Sequence, residues 1–275
     1  MSAAMSAASA GDGLRLRVAG LRAGYGSLEA VSGISLEVGA GEMVALIGRN
    51  GAGKSTAVMA AAGMRFGPSS GTVTLGEANL SRASTRRVVE AGLSLVPAEH
   101  RIFRTLTVAE NLKLGGYCRR RAGRAETAAA MRRVFDLFPV LQTHAGRSAS
   151  YLSGGEQQMV AIGQALMANP SVLMLDEPTS GLSPAVISVI LDALDRLRAQ
   201  GLGILLVEQS VKRALARSDR CYVMERGQIL LSGRSADIAG ETRVLDIVRG
   251  TAEAQIMAQA PSGTGAEPGE REAAQ

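Results

Sequence analysis

Alternation opens the chain. In LRLRVAGL, residues 14–21, apolar side chains recur at every second position, and GISLEVG, residues 33–39, repeats the pattern; a period of two belongs to a strand with one buried face. MVALIG, residues 43–48, is apolar throughout, as expected of a strand buried on both faces, and KSTAVMAAAGM behind it predicts a helix. GTVTLG and LSLVP predict two further strands on either side of a short polar helix. From about Thr107 to Leu141 the pattern turns helical, in TVAENLKLGGY and then RAETAAAMRRVFDLFPVL, with no strand signal between. After this insert come the helix GGEQQMVAIGQALMAN, the strand SVLMLDE, the helix AVISVILDALDRLRAQ, the strand ILLVEQ, a short helix, and a hairpin CYVMERGQILLSG that turns at Arg226-Gly227. Strands alternating with helices predict a largely parallel sheet covered on both faces, with the early antiparallel strands in a side sheet.

Composition narrows the class. A hydrophobic content of 46% over 275 residues is ample for a core. No apolar run reaches the roughly 20 residues of a membrane helix. The N-terminus MSAAMSAASAGDG lacks the basic start and leucine-rich centre of a secretory signal, and two cysteines, Cys118 and Cys221, make no disulfide framework, so a cytosolic protein is expected. The last 25 residues carry four Glu and one Arg, net −3, among Ala, Gly and Pro, and read as disordered. The remaining 250 then hold +8 of a total of +5, which favours an anionic partner such as nucleotide, nucleic acid or a lipid surface. With no Trp, four Tyr and four Phe, the chain offers few stacking platforms for single-stranded nucleic acid.

Candidate chemistry sits where strands end. MVALIGRNGAGKSTAV holds Gly48, Gly53, Lys54 and Ser55 in GxxxxGK[ST] spacing between a strand and a helix. The glycines let backbone N–H groups wrap round a β-phosphate, the helix N-terminus adds partial positive charge, Lys54 reaches the β/γ oxygens and Ser55 ligates Mg²⁺. The phosphate-binding set is thus Gly48, Asn50, Gly51, Gly53, Lys54, Ser55 and Thr56. VLMLDEP ends a buried strand with Asp176 and Glu177. An isolated acidic pair there is usually a cap or a solvated turn. Beside a phosphate loop, Asp176 would hold Mg²⁺ through its water shell, and Glu177 would orient and deprotonate the attacking water. Together these motifs predict a nucleotide hydrolase.

YLSGGEQQMVAIGQAL adds a third motif. Ser153 and Glu156 have the spacing of a capping box, and two glycines at a helix start leave N–H donors that suit a γ-phosphate. Here the chain resembles the ATP-binding cassette (ABC) ATPases of membrane transporters, whose signature reads LSGGQ or LSGGE. The phosphate loop, the signature at Leu152 to Glu156, the acidic strand end, and TSGLS at Thr179 to Ser183, where the family has its D-loop, follow in the family's order. The resemblance covers about residues 14 to 250. It implies an α/β P-loop ATPase fold with a mainly parallel sheet, an antiparallel side sheet and a helical subdomain at about 105–165, between disordered tails at 1–13 and 251–275. It implies dimerisation, Ser153, Gly154 and Gly155 of one subunit capping the nucleotide on the phosphate loop of a second. It places Tyr25 against adenine, and it puts Ala98, with Glu99 one place later, where the family's Q-loop has a polar residue. Most members end the strand ILLVEQ with a histidine that contacts the γ-phosphate. That position is Gln209 here, which can donate and accept a hydrogen bond but cannot become a cation.

VEQ at this point is found in a subset of the family, the ATP-binding subunits of branched-chain amino acid uptake systems and their urea or amide relatives. LSGGEQQM, EPTSGLSP, ILLVEQSV and DRCYVMERGQILLSG resemble that subset. The implied function is the ATP-hydrolysing subunit of an importer of branched-chain, hydrophobic amino acids, with ATP and Mg²⁺, on the cytoplasmic face of the cell membrane. Glu177 and Gln209 would be its catalytic pair. Implied partners are integral membrane permease subunits, a second cassette ATPase in a heterodimer, with a homodimer as the open alternative, and indirectly an external solute-binding protein, with no nucleic acid. Two alternatives stay open, a urea or amide importer and a non-transport cassette clamp on nucleic acid or ribosomes. Against the clamp, the chain shows neither coiled-coil heptads nor duplication. The arginines Arg119, Arg120, Arg121, Arg124, Arg132 and Arg133 read as a solvated helical face, and His100 and His144 lack metal-ligand spacing.

Overall fold

The computed structural model describes residues 13–64, 67, 69–98, 102–119, 123–240 and 244. The tails expected at 1–13 and 251–275 lie outside these residues, Gly13 apart, as do Glu99, His100, Arg120 and Arg121. In chain order the first half runs β1 (Leu14–Tyr25), β2 (Leu28–Gly39), β3 (Met43–Gly48), α1 (Lys54–Ala61), β4 (Ser69–Leu75), β5 (Ala78–Asn79), α2 (Thr85–Ala91), β6 (Leu93–Val96) and α3 (Val108–Gly115). The second half runs α4 (Arg124–Leu137), α5 (Pro139–Thr143), α6 (Gly154–Met167), β7 (Val172–Asp176), α7 (Pro184–Ala199), β8 (Gly203–Glu208), α8 (Val211–Arg217), β9 (Arg220–Glu225), β10 (Gln228–Arg234) and α9 (Ser235–Ala239).

Two sheets result. The larger has the order β10-β9-β3-β8-β7-β6, parallel except for the antiparallel β9–β10 hairpin. The smaller is antiparallel, in the order β2-β1-β4-β5. Every residue of β3, β7 and β8 is buried, as the uninterrupted apolar runs require of strands at the centre of a covered sheet. Alternate residues of these strands feed opposite cores: Leu173, Leu175, Ile204 and Leu206 pack with the helices of residues 108–199, whereas Val44, Leu46, Met174, Leu205 and Val207 pack with the side sheet and α1. Each such side chain contributes about 1.5–3 kcal/mol by leaving water, so sliding any of these strands by one residue would cost both cores together.

Two devices absent from the hydrophobic pattern fix the helical region. Asn111, fully buried in α3, accepts from the Phe103 N–H at 2.8 Å and donates to the carbonyls of Phe103 and Thr107 at 2.9 and 3.0 Å, pinning the loop before the helix. Gln164 of α6 donates back to the Asn111 carbonyl at 3.1 Å. Among the described residues from Thr107 to Leu141, α3, α4 and the start of α5 are helical as the pattern predicts, and Arg124, Arg132 and Arg133 are exposed, as a solvated face requires.

Candidate active site

The register of the large sheet brings three strand tips together. Ile47, next to the end of β3, pairs with Glu208, and Asp176 at the end of β7 pairs with Val207, so the phosphate-type loop and both acidic tips open at the same carboxyl edge. Open parallel sheets carry their ligands there. The loop cannot bear larger residues at two points. A Cβ on Gly48 would lie 2.1 Å from the Met224 carbonyl oxygen, and one on Gly53 would lie 2.4 Å from that of Ala30. Gly53 also stands at φ +99°, a left-handed conformation open chiefly to glycine, and from it α1 begins. Asn50 and Gly51 are exposed at the loop's outer rim, and Ser55 and Thr56 are half-buried in the first turn of α1.

Lys54 is 4% exposed and donates to the carbonyls of Gly48 at 2.9 Å and Arg49 at 3.0 Å, with Glu177 Oε1 at 3.9 Å. Burial lowers its pKa, opposed by the nearby carboxylates of Glu177, Asp176 and Glu208. Asp176 shows the converse. Burial raises its carboxyl, the Ser55 hydroxyl nearby pulls the other way, and its Oδ1 is buried with no hydrogen-bond partner among the described residues. An orphaned, desolvated carboxylate oxygen beside a hydroxyl fits a hard divalent cation of the magnesium type, which takes one or two protein oxygens and keeps water or phosphate on its other positions. No cluster of three or more His, Cys, Asp or Glu that could form an all-protein metal cage occurs among the described residues.

Glu177, one residue past β7, is held at φ +49°. Its N–H donates to the Val207 carbonyl at 3.0 Å, and its Oε2 accepts from Gln209 Nε2 at 2.5 Å. Behind this contact lies a grouping that the sequence reading did not assemble, and its Arg213 is a residue that reading did not single out. The Thr179 hydroxyl donates to Glu208 Oε1 at 2.6 Å, Arg213 of α8 donates to the Thr179 oxygen, and Arg213 also stands 3.6 Å from Glu208 Oε2. Glu208 is 3% exposed, and burial raises its carboxyl against the opposing pull of Thr179 and Arg213. Glu177, Gln209, Thr179, Glu208 and Arg213 line a common cleft of about 260 Å³.

Ser153, Gly154 and Gly155 form the start of α6. Ser153 accepts from the Glu156 N–H while Glu156 accepts from Ser153, completing the capping box. Gly154 is exposed with open space where a Cβ would stand, and Gly155 is buried. Among the described residues no hydrogen bond or ion pair joins this turn to the phosphate-type loop of the same chain.

A family model described as ABC transporter matches residues 31–180. The chain belongs to that family. It is 38% identical over 226 residues to the high-affinity branched-chain amino acid transport ATP-binding protein BraG of Pseudomonas aeruginosa, covering 82% of this chain and 95% of that one. It is 35% identical over 224 residues to the probable branched-chain amino acid transport ATP-binding protein LivF of Archaeoglobus fulgidus, covering 81% and 93%. Among solved structures, a nucleotide-free ATP-binding cassette from an ABC transporter superposes with a TM-score of 0.75 at 26% identity, covering 85% of this chain and 98% of that one.

Loop, acidic tips and Gln209 converge at one edge of this cassette, and the start of α6 makes no hydrogen bond or ion pair to them among the described residues. Tyr25 ends β1 on the hairpin whose second strand supplies Ala30 to the loop, and it is 43% exposed. Ala98 lies in an exposed bend beyond β6. Among the described residues no helix is long and apolar enough to cross a membrane.

Proposed function

We propose that this chain binds and hydrolyses ATP as the cytoplasmic subunit that drives an importer of branched-chain, hydrophobic amino acids. The observation that carries this reading is the meeting of Lys54, Asp176, Glu177 and Gln209 at one sheet edge of an ABC ATPase whose relatives bear that transport role along nearly their whole length. Binding begins when the Lys54 ammonium leaves two neutral carbonyls for β/γ-phosphate oxygens, which offer full negative charge. The loop N–H groups and the start of α1 add partial positive charge around the phosphates, and Tyr25 stacks on the adenine. Ser55 and Asp176 would hold Mg²⁺, which when bound offsets charge on the phosphate oxygens. Glu177 takes the proton of the attacking water, and Gln209 orients that carboxylate without adding charge of its own. Ser153, Gly154 and Gly155 supply a hydroxyl and N–H groups to the γ-phosphate held by a second cassette subunit, so ATP closes the pair and hydrolysis reopens it. Permease subunits in the membrane supply the solute's path, and an external binding protein delivers the solute.

Affinity purification from the native membrane, followed by uptake assays in a deletion strain, tests this reading. Integral membrane proteins and a second cassette ATPase are expected to co-purify, and uptake of labelled leucine, isoleucine or valine is expected to be lost. Recovery of ribosomes or nucleic acid in their place would overturn the transport role. Loss of urea uptake with leucine uptake intact would reassign the solute.

A further inference from the structure

The segments on either side of the Glu177–Gln209 contact are joined more often than strand pairing requires. The Glu177 N–H bonds to the Val207 carbonyl, Gln209 bonds to the Glu177 side chain, and Thr179 bonds to Glu208. Arg213 then reaches back from α8 to both members of that last pair. Thr179 is 2% exposed and Glu208 3%, so their hydrogen bond is shielded from water, whereas Gln209 is exposed. A carboxylate buried this deeply is tolerable only with its partners in place, and removing one leaves an uncompensated group. The location matters more than the energy. Thr179 is two residues beyond Glu177, and Glu208 immediately precedes Gln209. Glu177 itself stands at φ +49°, which a non-glycine residue keeps only where its surroundings over-determine it.

We propose that Arg213, Thr179 and Glu208 are positioning residues whose buried tie holds Glu177 and Gln209 in their hydrogen-bonded register. None of the three touches the reacting atoms. They act through the pair that does, and the proposal rests on the assignment of Glu177 and Gln209 to hydrolysis. A tie of this kind also explains why a buried strand ends in a charged residue, since Glu208 is the anchor and Gln209 the residue being anchored.

A double-mutant cycle on the full-length chain, in the membrane complex with which it purifies, separates positioning from packing. Thr179→Val keeps the shape and removes the hydroxyl. It is expected to lower kcat for ATP about tenfold while KM and nucleotide affinity stay within about twofold. In a Gln209→Ala background the same substitution is expected to cost less than about twofold, because the register it protects is already gone. Thr179→Ser, which restores the hydroxyl, is expected to recover wild-type turnover. Arg213→Ala provides a second route from the more exposed end of the tie, since that side chain is 32% exposed; it is expected to follow Thr179→Val, with Arg213→Lys intermediate. Equal losses in both backgrounds, or a Thr179→Ser variant as slow as Thr179→Val, would overturn the proposal and leave a packing group. A wild-type complex that does not hydrolyse ATP would overturn the functional reading, and this proposal with it, whereas additive losses would overturn this proposal alone.

Discussion

Gln209 Nε2 lies 2.5 Å from Glu177 Oε2, the two side chains meeting from just beyond the tips of β8 and β7. This contact gives the amide a definite task, since it donates to the carboxylate proposed as base and leaves the other oxygen facing Lys54 at 3.9 Å. Removing a neutral hydrogen-bonding group of this kind costs about 1–2 kcal/mol, or roughly five- to thirtyfold in rate. Gln209→Ala is therefore expected to slow hydrolysis by that factor with nucleotide affinity little changed, and Gln209→His to be tolerated. Glu177→Gln is expected to cost about a hundred- to ten-thousandfold, the usual worth of a general base. Steady-state phosphate release by the assembled transporter measures all three. A Gln209→Ala rate equal to wild type would reduce the residue to a strand terminus.

Lys54 gives the second expectation. Its ammonium is buried against two loop carbonyls and three carboxylates, so it is placed for an exchange of partners when phosphate arrives. Hydrogen bonds to charged groups contribute about 1.5–3 kcal/mol, so Lys54→Ala is expected to weaken ATP binding by roughly ten- to a hundredfold or more. Lys54→Arg is expected to fail similarly, because a side chain 4% exposed leaves no room for the planar fork. Fluorescent-nucleotide titration of the purified variants reads this directly, and an unchanged affinity in Lys54→Ala would remove the residue from the phosphate site.

The parts of this architecture that were legible in the sequence are those encoded locally. β3, β7 and β8 announce themselves because strands at the centre of a covered sheet must be apolar at every position, and Lys54, Ser55, Asp176 and Glu177 because loop and strand-tip chemistry is contiguous in the chain. What was not legible depends on partners far apart in sequence. Thr179 meets Glu208 across 29 residues and Arg213 across 34, and Gln164 meets Asn111 across 53, with no spacing to betray them. The lengths of β1 and β2 were hidden for another reason. Register shifts between Val18 and Leu21, where Gly20 takes φ +58°, break the period of two on which a strand pattern depends. β5 and α9, two and five residues long, are too short to show any period.

Glu156 makes one contribution to stability that depends on pH. It accepts from the Ser153 N–H and hydroxyl, both at 2.7 Å, and lies 3.3 Å from His144 Nδ1. Burial works against its charge, but the Ser153 bonds together with His144 and Arg147 outweigh that and hold its carboxyl below the ordinary 4.5. A folded-state pKa below the unfolded one means that the unfolded chain binds the proton first as pH falls. The stabilisation is thus complete above the unfolded pKa and lost as pH falls through the folded one. Glu156→Gln keeps the hydrogen-bonding shape without the charge and is expected to cost about 0.5–1 kcal/mol at neutral pH. Urea midpoints of both proteins at about pH 6 and about pH 3 are expected to differ by more at the first than at the second. A gap that is constant with pH would mean that the carboxylate's charge contributes nothing.

The two signature glycines are expected to separate folding from catalysis. A Cβ on Gly155 would lie 2.6 Å from Val186 Cγ1 and 3.1 Å from its Cγ2, whereas one on Gly154 would meet nothing within 4 Å. Both residues lie in the first turn of α6 with negative φ, so alanine suits the backbone at either. Gly155→Ala is therefore expected to overpack the contact with α7 and destabilise the protein by about 1–3 kcal/mol, several degrees in Tm for a chain of this size. Val186→Ala in the same chain is expected to recover part of that loss by clearing the space. Gly154→Ala is expected to melt at or slightly above the wild-type temperature, since alanine favours a helix over glycine by about 0.5–1 kcal/mol. Its methyl group nevertheless stands on an exposed face, the one proposed to meet a second subunit's γ-phosphate, and on that proposal hydrolysis by the assembled transporter is expected to fall more than about tenfold. Paired melting curves and phosphate-release rates decide between packing and contact at each position. A Gly154→Ala complex that turns over like wild type would mean that the start of α6 caps no phosphate, and that Ser153 and the two glycines serve the helix alone.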